Sequence, residues 1–154
     1  MSDNHGTLIL IQGLAGSGKS HLIELLRYDF LIQENFAATA ESEERNIEDL
    51  ARELRGGRRC IISERKYRST IERDKFIHRI LSAISPSPQP IIRVICFEND
   101  IVAANHNCLK RTNKEADPTG EDHVALNNMD TKDYEIPACA IVVKIHRIDV
   151  ASSC

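Results

Sequence analysis

Gly13-Leu-Ala-Gly-Ser-Gly18-Lys19-Ser20 is the stretch on which the reading of this 154-residue chain turns. It matches the pattern G-x-x-x-x-G-K-[ST]. A short apolar run, Thr7–Gln12, ends immediately before it, and an amphipathic segment, Ser20–Phe30, opens within it. A buried strand entering the motif and a helix leaving it are the context that the pattern requires. Glycines let successive backbone N–H groups converge on phosphate oxygens, and the helix N-terminus adds its partial positive charge. Lys19 supplies a full charge for the β- and γ-phosphates, and the Ser20 hydroxyl is a hard ligand for Mg²⁺. The expected cofactor-binding set is therefore Gly13, Leu14, Ala15, Gly16, Ser17, Gly18, Lys19 and Ser20, with ATP and Mg²⁺ as ligands. Two other glycine motifs fail in the same stretch. G-x-G-x-x-G meets His21 where its last glycine belongs, and G-x-S-x-G meets Ala15 and Lys19 on either side of Ser17.

Outward from the motif, strands alternate with helices. Phe30–Glu34, Arg59–Ser63, Ile91–Phe97 and Ala140–Ile145 read as further strands. Glu41–Arg55 and Thr70–Ser85 read as helices, with Ile47, Leu50, Ala51 and Leu54 inward on the first and Ile71, Phe76, Ile77, Ile80, Leu81 and Ile84 on the second. Gly56-Gly57 stops the first, and Ser85-Pro-Ser-Pro-Gln-Pro90 is a connector. Asn99 or Asp100 caps a helix running to about Arg111. Thr112–Asp133 is polar and reads as a mobile loop. The alternation predicts one α/β domain over residues 1–154, built on a parallel sheet with right-handed crossovers.

Three strands end in a carboxylate that could face the phosphate loop: Glu34, Glu64 and Glu98. Glu64 is the expected metal-side acid, because Arg65-Lys-Tyr-Arg68 follows it and phosphoryl transfer needs an acid for Mg²⁺ beside a cation for phosphate. The bland alternative is a surface ion pair. Glu34 is the expected general base or acceptor-positioning group, against a solvated loop carboxylate. Glu98 reads as a residue near a helix start. Arg111, with Lys114 nearby, borders the polar loop, where a closing lid would bring a cation to the transferred group. The expected catalytic set is Lys19, Glu34, Glu64, Arg65 and Arg111, and the expected metal ligands are Ser20 and Glu64.

Composition removes other classes. The longest strongly apolar runs, Leu8–Ile11 and Ala138–Val143, fall far short of the roughly 20 residues a bilayer span needs. The polar start, Met1–Gly6, lacks a secretory pattern. Five widely spaced cysteines without a CxxC pair read as reduced thiols of a cytoplasmic protein, and only His106 and Cys108 lie close enough to suggest a metal. Net charge is −3, but Arg52–Arg79 holds 10 of the 20 Lys and Arg against four acids. That run reads either as a grip on a phosphorylated or polynucleotide acceptor or as a solvated helix face. Aromatics are 5% of the chain, with no Trp, so no stacking ladder supports nucleic acid.

Together these residues resemble the small P-loop kinases across essentially the whole chain. The resemblance implies a five-stranded parallel sheet of order 2-3-1-4-5 with helices on both faces, and an arginine-bearing lid after the fourth strand, here about 112–133. Glu34 and Glu64-Arg65, with Tyr67 and Ser69, are similar to deoxynucleoside and thymidylate kinases. The short chain, Glu98-Asn-Asp with Arg111, and Tyr134-Glu-Ile-Pro137 are more similar to the compact group related to zeta toxins and polynucleotide kinases. In the superfamily the loop before the last strand lies near adenine. The implied activity is Mg²⁺-dependent transfer of the ATP γ-phosphate to a nucleoside, nucleotide or related small acceptor. A nucleotide-binding module or partner-dependent hydrolase stays as the alternative. A GTPase-like switch is a third reading, from Asn113-Lys-Glu-Ala-Asp117 and Asp117-Pro-Thr-Gly120, but their spacing and order do not fit.

Overall fold

A computed structural model describes residues 5–112 and 120–148, and of these the side chains of 111 and 112 are not described. The strands are β1 (Thr7–Gln12), β2 (Leu31–Glu34), β3 (Arg59–Ser63), β4 (Ile91–Phe97) and β5 (Ile141–Val143). The helices are α1 (Lys19–Leu26), α2 (Ala40–Arg55), α3 (Thr70–Ile84), α4 (Ile101–Thr112) and α5 (Gly120–Asp130), with a 3-10 turn at Arg65–Arg68. The five strands form one parallel sheet in the order β2-β3-β1-β4-β5, the three-layer arrangement expected.

β1 is central because it is apolar on both sides. Leu8, Leu10 and Ile11 are fully buried, as a strand covered on both faces must be. Its register sets Leu8 beside Cys60 and Ile92, and Leu10 beside Ile62 and Val94. The chain crosses from β3 to β4 over β1. The carboxyl ends of these strands therefore border the crevice where an open α/β sheet binds its ligands. α2 starts in a capping box, in which Thr39 Oγ1 accepts from Ser42 N and Ser42 Oγ accepts from Thr39 N. Gly57, at φ 79°, turns the chain out of α2 toward β3.

Several local expectations are corrected. α1 ends at Leu26 rather than Phe30, and Leu25, which the helical spacing puts on one apolar face with Leu22, Ile23 and Leu26, is 67% exposed. Ile71, expected in the core, is 68% exposed on the first turn of α3. Asp100, rather than Asn99, caps α4, accepting from Ala103 N. The segment read as a loop over 112–133 contains helix α5. Its buried positions are Gly120, Asn127 and Asp130, so the buried face carries no apolar periodicity for a sequence pattern to show. Among the described residues no helix is long and apolar enough to cross a membrane.

Beside the sheet, Tyr67 stacks on Phe76 at 4.3 Å, and Phe36 meets Phe76 edge-on at 5.3 Å. The Tyr67 hydroxyl donates to Glu43 Oε2 at 2.7 Å. That buried carboxylate also accepts from Arg79 at 2.8 Å and from Lys66 at 3.2 Å. Burial opposes ionisation of Glu43, but the hydrogen bonds from Tyr67, Lys66 and Arg79 outweigh it and hold its carboxyl below the usual carboxylate range. A depressed folded value means stability that is present above the unfolded value, about 4.3, and lost as pH falls through the folded one. Glu43→Ala is expected to cost about 2–3 kcal/mol, chiefly by leaving the Tyr67 hydroxyl buried and unpaired. Denaturant unfolding at neutral pH checks the cost. The gap between variant and wild type should narrow as Glu43 is protonated in acid, and the part due to the unpaired Tyr67 hydroxyl should remain, since a neutral carboxyl still accepts that bond.

Candidate active site

The phosphate loop sits at the carboxyl end of β1. Gly16 and Gly18 hold φ of 84° and 109°, the left-handed region that glycine occupies without penalty. Gly18 caps α1 with no side-chain acceptor, so the first N–H groups of the helix lack an intrahelical partner and point toward an incoming anion. The loop's carbonyls are held on its other side. Asn127 Nδ2 donates to Ala15 O at 2.8 Å, and Ala15 N donates to Asn127 Oδ1 at 2.8 Å. Asn107 Nδ2 donates to Gly16 O at 2.9 Å and to His146 O at 2.8 Å. The carbonyls of Ala15 and Gly16 are thus tied back to α5 and α4, which fixes the loop against those helices. Ser17 Oγ is buried without a hydrogen-bond partner. An orphaned hydroxyl inside the loop fits a loop built to close on an oxygen-rich ligand.

Lys19 Nζ donates to Gly13 O, so the side chain folds back over the loop. Burial pulls its pKa below the usual lysine value, while the Asp130 carboxylate first, then Cys108 and Glu34, draw it back upward. Lys19 thus stands in the field of two acids from different elements, α5 and β2.

In front of the loop opens a polar cleft of about 810 Å³, and Lys19, Glu34, Glu64 and Arg65 all line it. Four of the five expected catalytic residues therefore share one cavity. The backbone of Arg111 lies on α4; its side chain, Lys114 and the segments 113–117 and 117–119 lie outside the described residues. Glu64 caps the 3-10 turn, its Oε1 accepting from Lys66 N at 3.4 Å. Ser20 and Glu64 offer oxygen donors only, the chemistry Mg²⁺ prefers when phosphate oxygens and water complete its shell. Among the described residues no group of three His, Cys, Asp or Glu side chains could hold a metal.

Arg65 is not a lone cation beside Glu64. Its Nε and Nη2 donate to the two oxygens of Asp130, each at 2.6 Å. Asp130 comes from α5 with its side chain 8% exposed, and that pairing holds the guanidinium protonated. Arg68 lies 3.5 Å from the same carboxylate and pairs with Asp133 at 2.8 and 3.0 Å. Asp130, Asn127 and His123, all on α5, reach the loop or cleft without any motif to announce them. A polar residue at a buried helical position, three or four residues from the next, is their sole sequence signal. Glu98, weighed as a third acid, instead accepts from Ile145 N at 3.0 Å.

A second cavity of about 350 Å³ lies on the other side of the loop, between Gly16–Gly18, Leu22 of α1, Phe97 and the segment after β5 at His146. The loop before β5 does not border it. Tyr134 donates to the carbonyls of Gln12 and Phe97, Glu135 N donates to Arg68 O, and Glu135 Oε1 accepts from Thr70 N. That loop packs against the 3-10 turn and α3, and it is the segment following β5 that borders the second cavity.

No family model matches the sequence, and no curated protein sequence matches it significantly. Solved structures do. A gluconokinase from Sinorhizobium meliloti 1021 superposes with a TM-score of 0.58 at 13% identity, over 92% of this chain and 84% of its own. A chain of the Pnkp1/Rnl/Hen1 RNA repair complex superposes with a TM-score of 0.56 at 16% identity, over 88% of this chain and 49% of its own. At such identities the likeness is one of fold, and it agrees with the strand order and the loop geometry: this chain has the three-layer α/β fold of the P-loop kinases.

Proposed function

We propose that this protein binds ATP with Mg²⁺ and transfers the γ-phosphoryl group to the hydroxyl of a small acceptor. The observation that supports this reading is the cleft itself, which Glu34, Glu64, Arg65 and Lys19 of the phosphate loop all line. A hydrolase needs no second chamber of that size lined by carboxylates beyond the phosphates. The smaller, more apolar cavity behind the loop suits the nucleotide base. The likeness in fold to a gluconokinase supports a phosphotransferase.

In this reading the loop amides and Lys19 hold the β- and γ-phosphates. Ser20 and Glu64 would hold Mg²⁺, which when bound neutralises charge between the phosphates. Glu34 orients the acceptor hydroxyl. Its oxygen attacks the γ-phosphorus as the bond from that phosphorus to the β,γ-bridging oxygen breaks. The hydroxyl proton passes to the Glu34 carboxylate, and ADP leaves with the bonding pair. Arg65, held by Asp130, keeps Nη1 available to the transferred group, and Arg111 would approach from α4.

Thermal unfolding tests the binding half. ATP–Mg²⁺ at about 100 times its Kd adds about 2.7 kcal/mol to the folded state, which should raise Tm by roughly 5–10 °C. Release of ADP that depends on an acceptor tests the transfer half. A nucleotide shift with ADP release indifferent to every acceptor would assign the protein to the partner-dependent hydrolases instead. No shift at saturating nucleotide would remove the reading altogether.

A further inference from the structure

We propose that the acceptor wall of the cleft selects an uncharged hydroxyl compound over one that already carries a phosphate, an inference that rests on the kinase reading above. The basic run Arg52–Arg79 left two readings open, a grip on a phosphorylated acceptor or a solvated helix face. The structure disperses that run. Arg52, Arg58 and Lys75 pair with acids of their own or neighbouring helical turns. Arg55 donates to the carbonyl of Ala83, Arg59 lies over the Phe30 ring, and Arg73 is buried against the carbonyls of Tyr67 and Glu135.

The three cations that do line the cleft are each met by a carboxylate from another element. Arg65 is held by Asp130, Arg68 by Asp133 and Lys66 by Glu43. The pairing is felt on both sides. The hydrogen bond from Arg68 is the main reason the Asp133 carboxyl lies below its usual value, and the hydrogen bond to Asp130 is the main reason Arg65 lies above. Glu34 and Glu64 also line the cleft, and among the described residues neither has an ion-pair partner. Once Lys19 is engaged with the nucleotide and Glu64 with Mg²⁺, the carboxylate left at this wall without a cation is Glu34. A phosphorylated acceptor would have to approach Glu34 while every lysine and arginine of the wall among the described residues is held by a carboxylate and the one open guanidinium group, Arg65 Nη1, serves the transferred group, which is discrimination by repulsion. A neutral hydroxyl compound meets only hydrogen-bonding groups.

The test uses the whole chain with saturating ATP–Mg²⁺ at about pH 8. ADP release is compared across matched pairs: glycerol and glycerol 3-phosphate, ribose and ribose 5-phosphate, adenosine and AMP, with a 5′-hydroxyl oligonucleotide beside them. The expected result is kcat/KM at least about tenfold higher for the uncharged member of a productive pair. Equal or better turnover of a phosphorylated member, or of the oligonucleotide, overturns the proposal. If no acceptor is turned over although ATP–Mg²⁺ binds, the kinase reading fails, and the charge assignment is still decided by binding. Protein loaded with a non-hydrolysable ATP analogue and Mg²⁺ should show no saturable binding of labelled inorganic phosphate. Asp133→Asn, at a position whose side chain is 52% exposed, frees Arg68 from its 2.8 Å partner, leaving only the longer 3.5 Å contact to Asp130, and should gain saturable phosphate binding that the wild type lacks. Asp130→Asn should do the same through Arg65. Saturable phosphate binding by the loaded wild type, or no gain in Asp133→Asn, overturns the proposal.

Discussion

Lys19→Ala is expected to lower phosphoryl transfer by about 10²–10³-fold, the loss typical of removing one preorganised charged donor from a transition-state site. The same substitution should leave the ligand-free protein as stable as the wild type, or slightly more so. The reason is the sign of the Lys19 shift. Burial depresses the lysine's pKa despite the nearby acids. A base with a depressed folded value carries a penalty in its charged form, present at any pH below that value. Removing the ammonium removes the penalty. Steady-state kinetics and thermal unfolding of the same sample check both halves. A transfer rate near wild type would break the assignment of the phosphate loop, whereas an inactive and unfolded variant would leave the loss of rate uninterpretable. Lys19→Met, which keeps the stem, is the companion variant.

Gly16→Ala is expected to be the most damaging single methyl in the protein, at about 2–5 kcal/mol. Two independent costs coincide. At φ 84° an L side chain is strained. The added Cβ would also lie 2.3 Å from the carbonyl oxygen of Ala104 and 2.9 Å from Cys108 Sγ. The first of these contacts is backbone in α4 and cannot rotate away. Relief would have to come from moving the loop off α4, which would also break the bond from Asn107 to Gly16 O. A drop in denaturation midpoint together with weakened nucleotide binding is the expected pair of results. Gly18→Ala gives the contrast, since its Cβ would meet only the Phe97 ring, at 3.4 Å, so backbone strain without the clash should cost distinctly less.

What the sequence by itself determined is the part of the site that is local. Gly13–Ser20 is contiguous, and a strand and a helix flank it in the chain. Its identity needed no distant residue, and the parallel sheet followed from the alternation of apolar runs around it. Glu34, Glu64 and Arg65 were also legible, because each stands at or just beyond a strand's carboxyl end, and in a parallel sheet those ends converge on one cleft. Tertiary structure alone decided what those residues meet. Helix α5 carries no apolar stripe, since it buries Asn127 and Asp130, so the sequence offered a loop where the fold has the wall of the site. From that wall Asn127 fixes the phosphate loop and Asp130 takes Arg65. The basic run Arg52–Arg79 shows the same limit from the other side. Charge summed along a chain ignores partners such as Asp130 and Asp133, about 65 residues away from the arginines they meet. A salt bridge is a property of distance in space, where the Coulomb energy is set, and not of order in sequence.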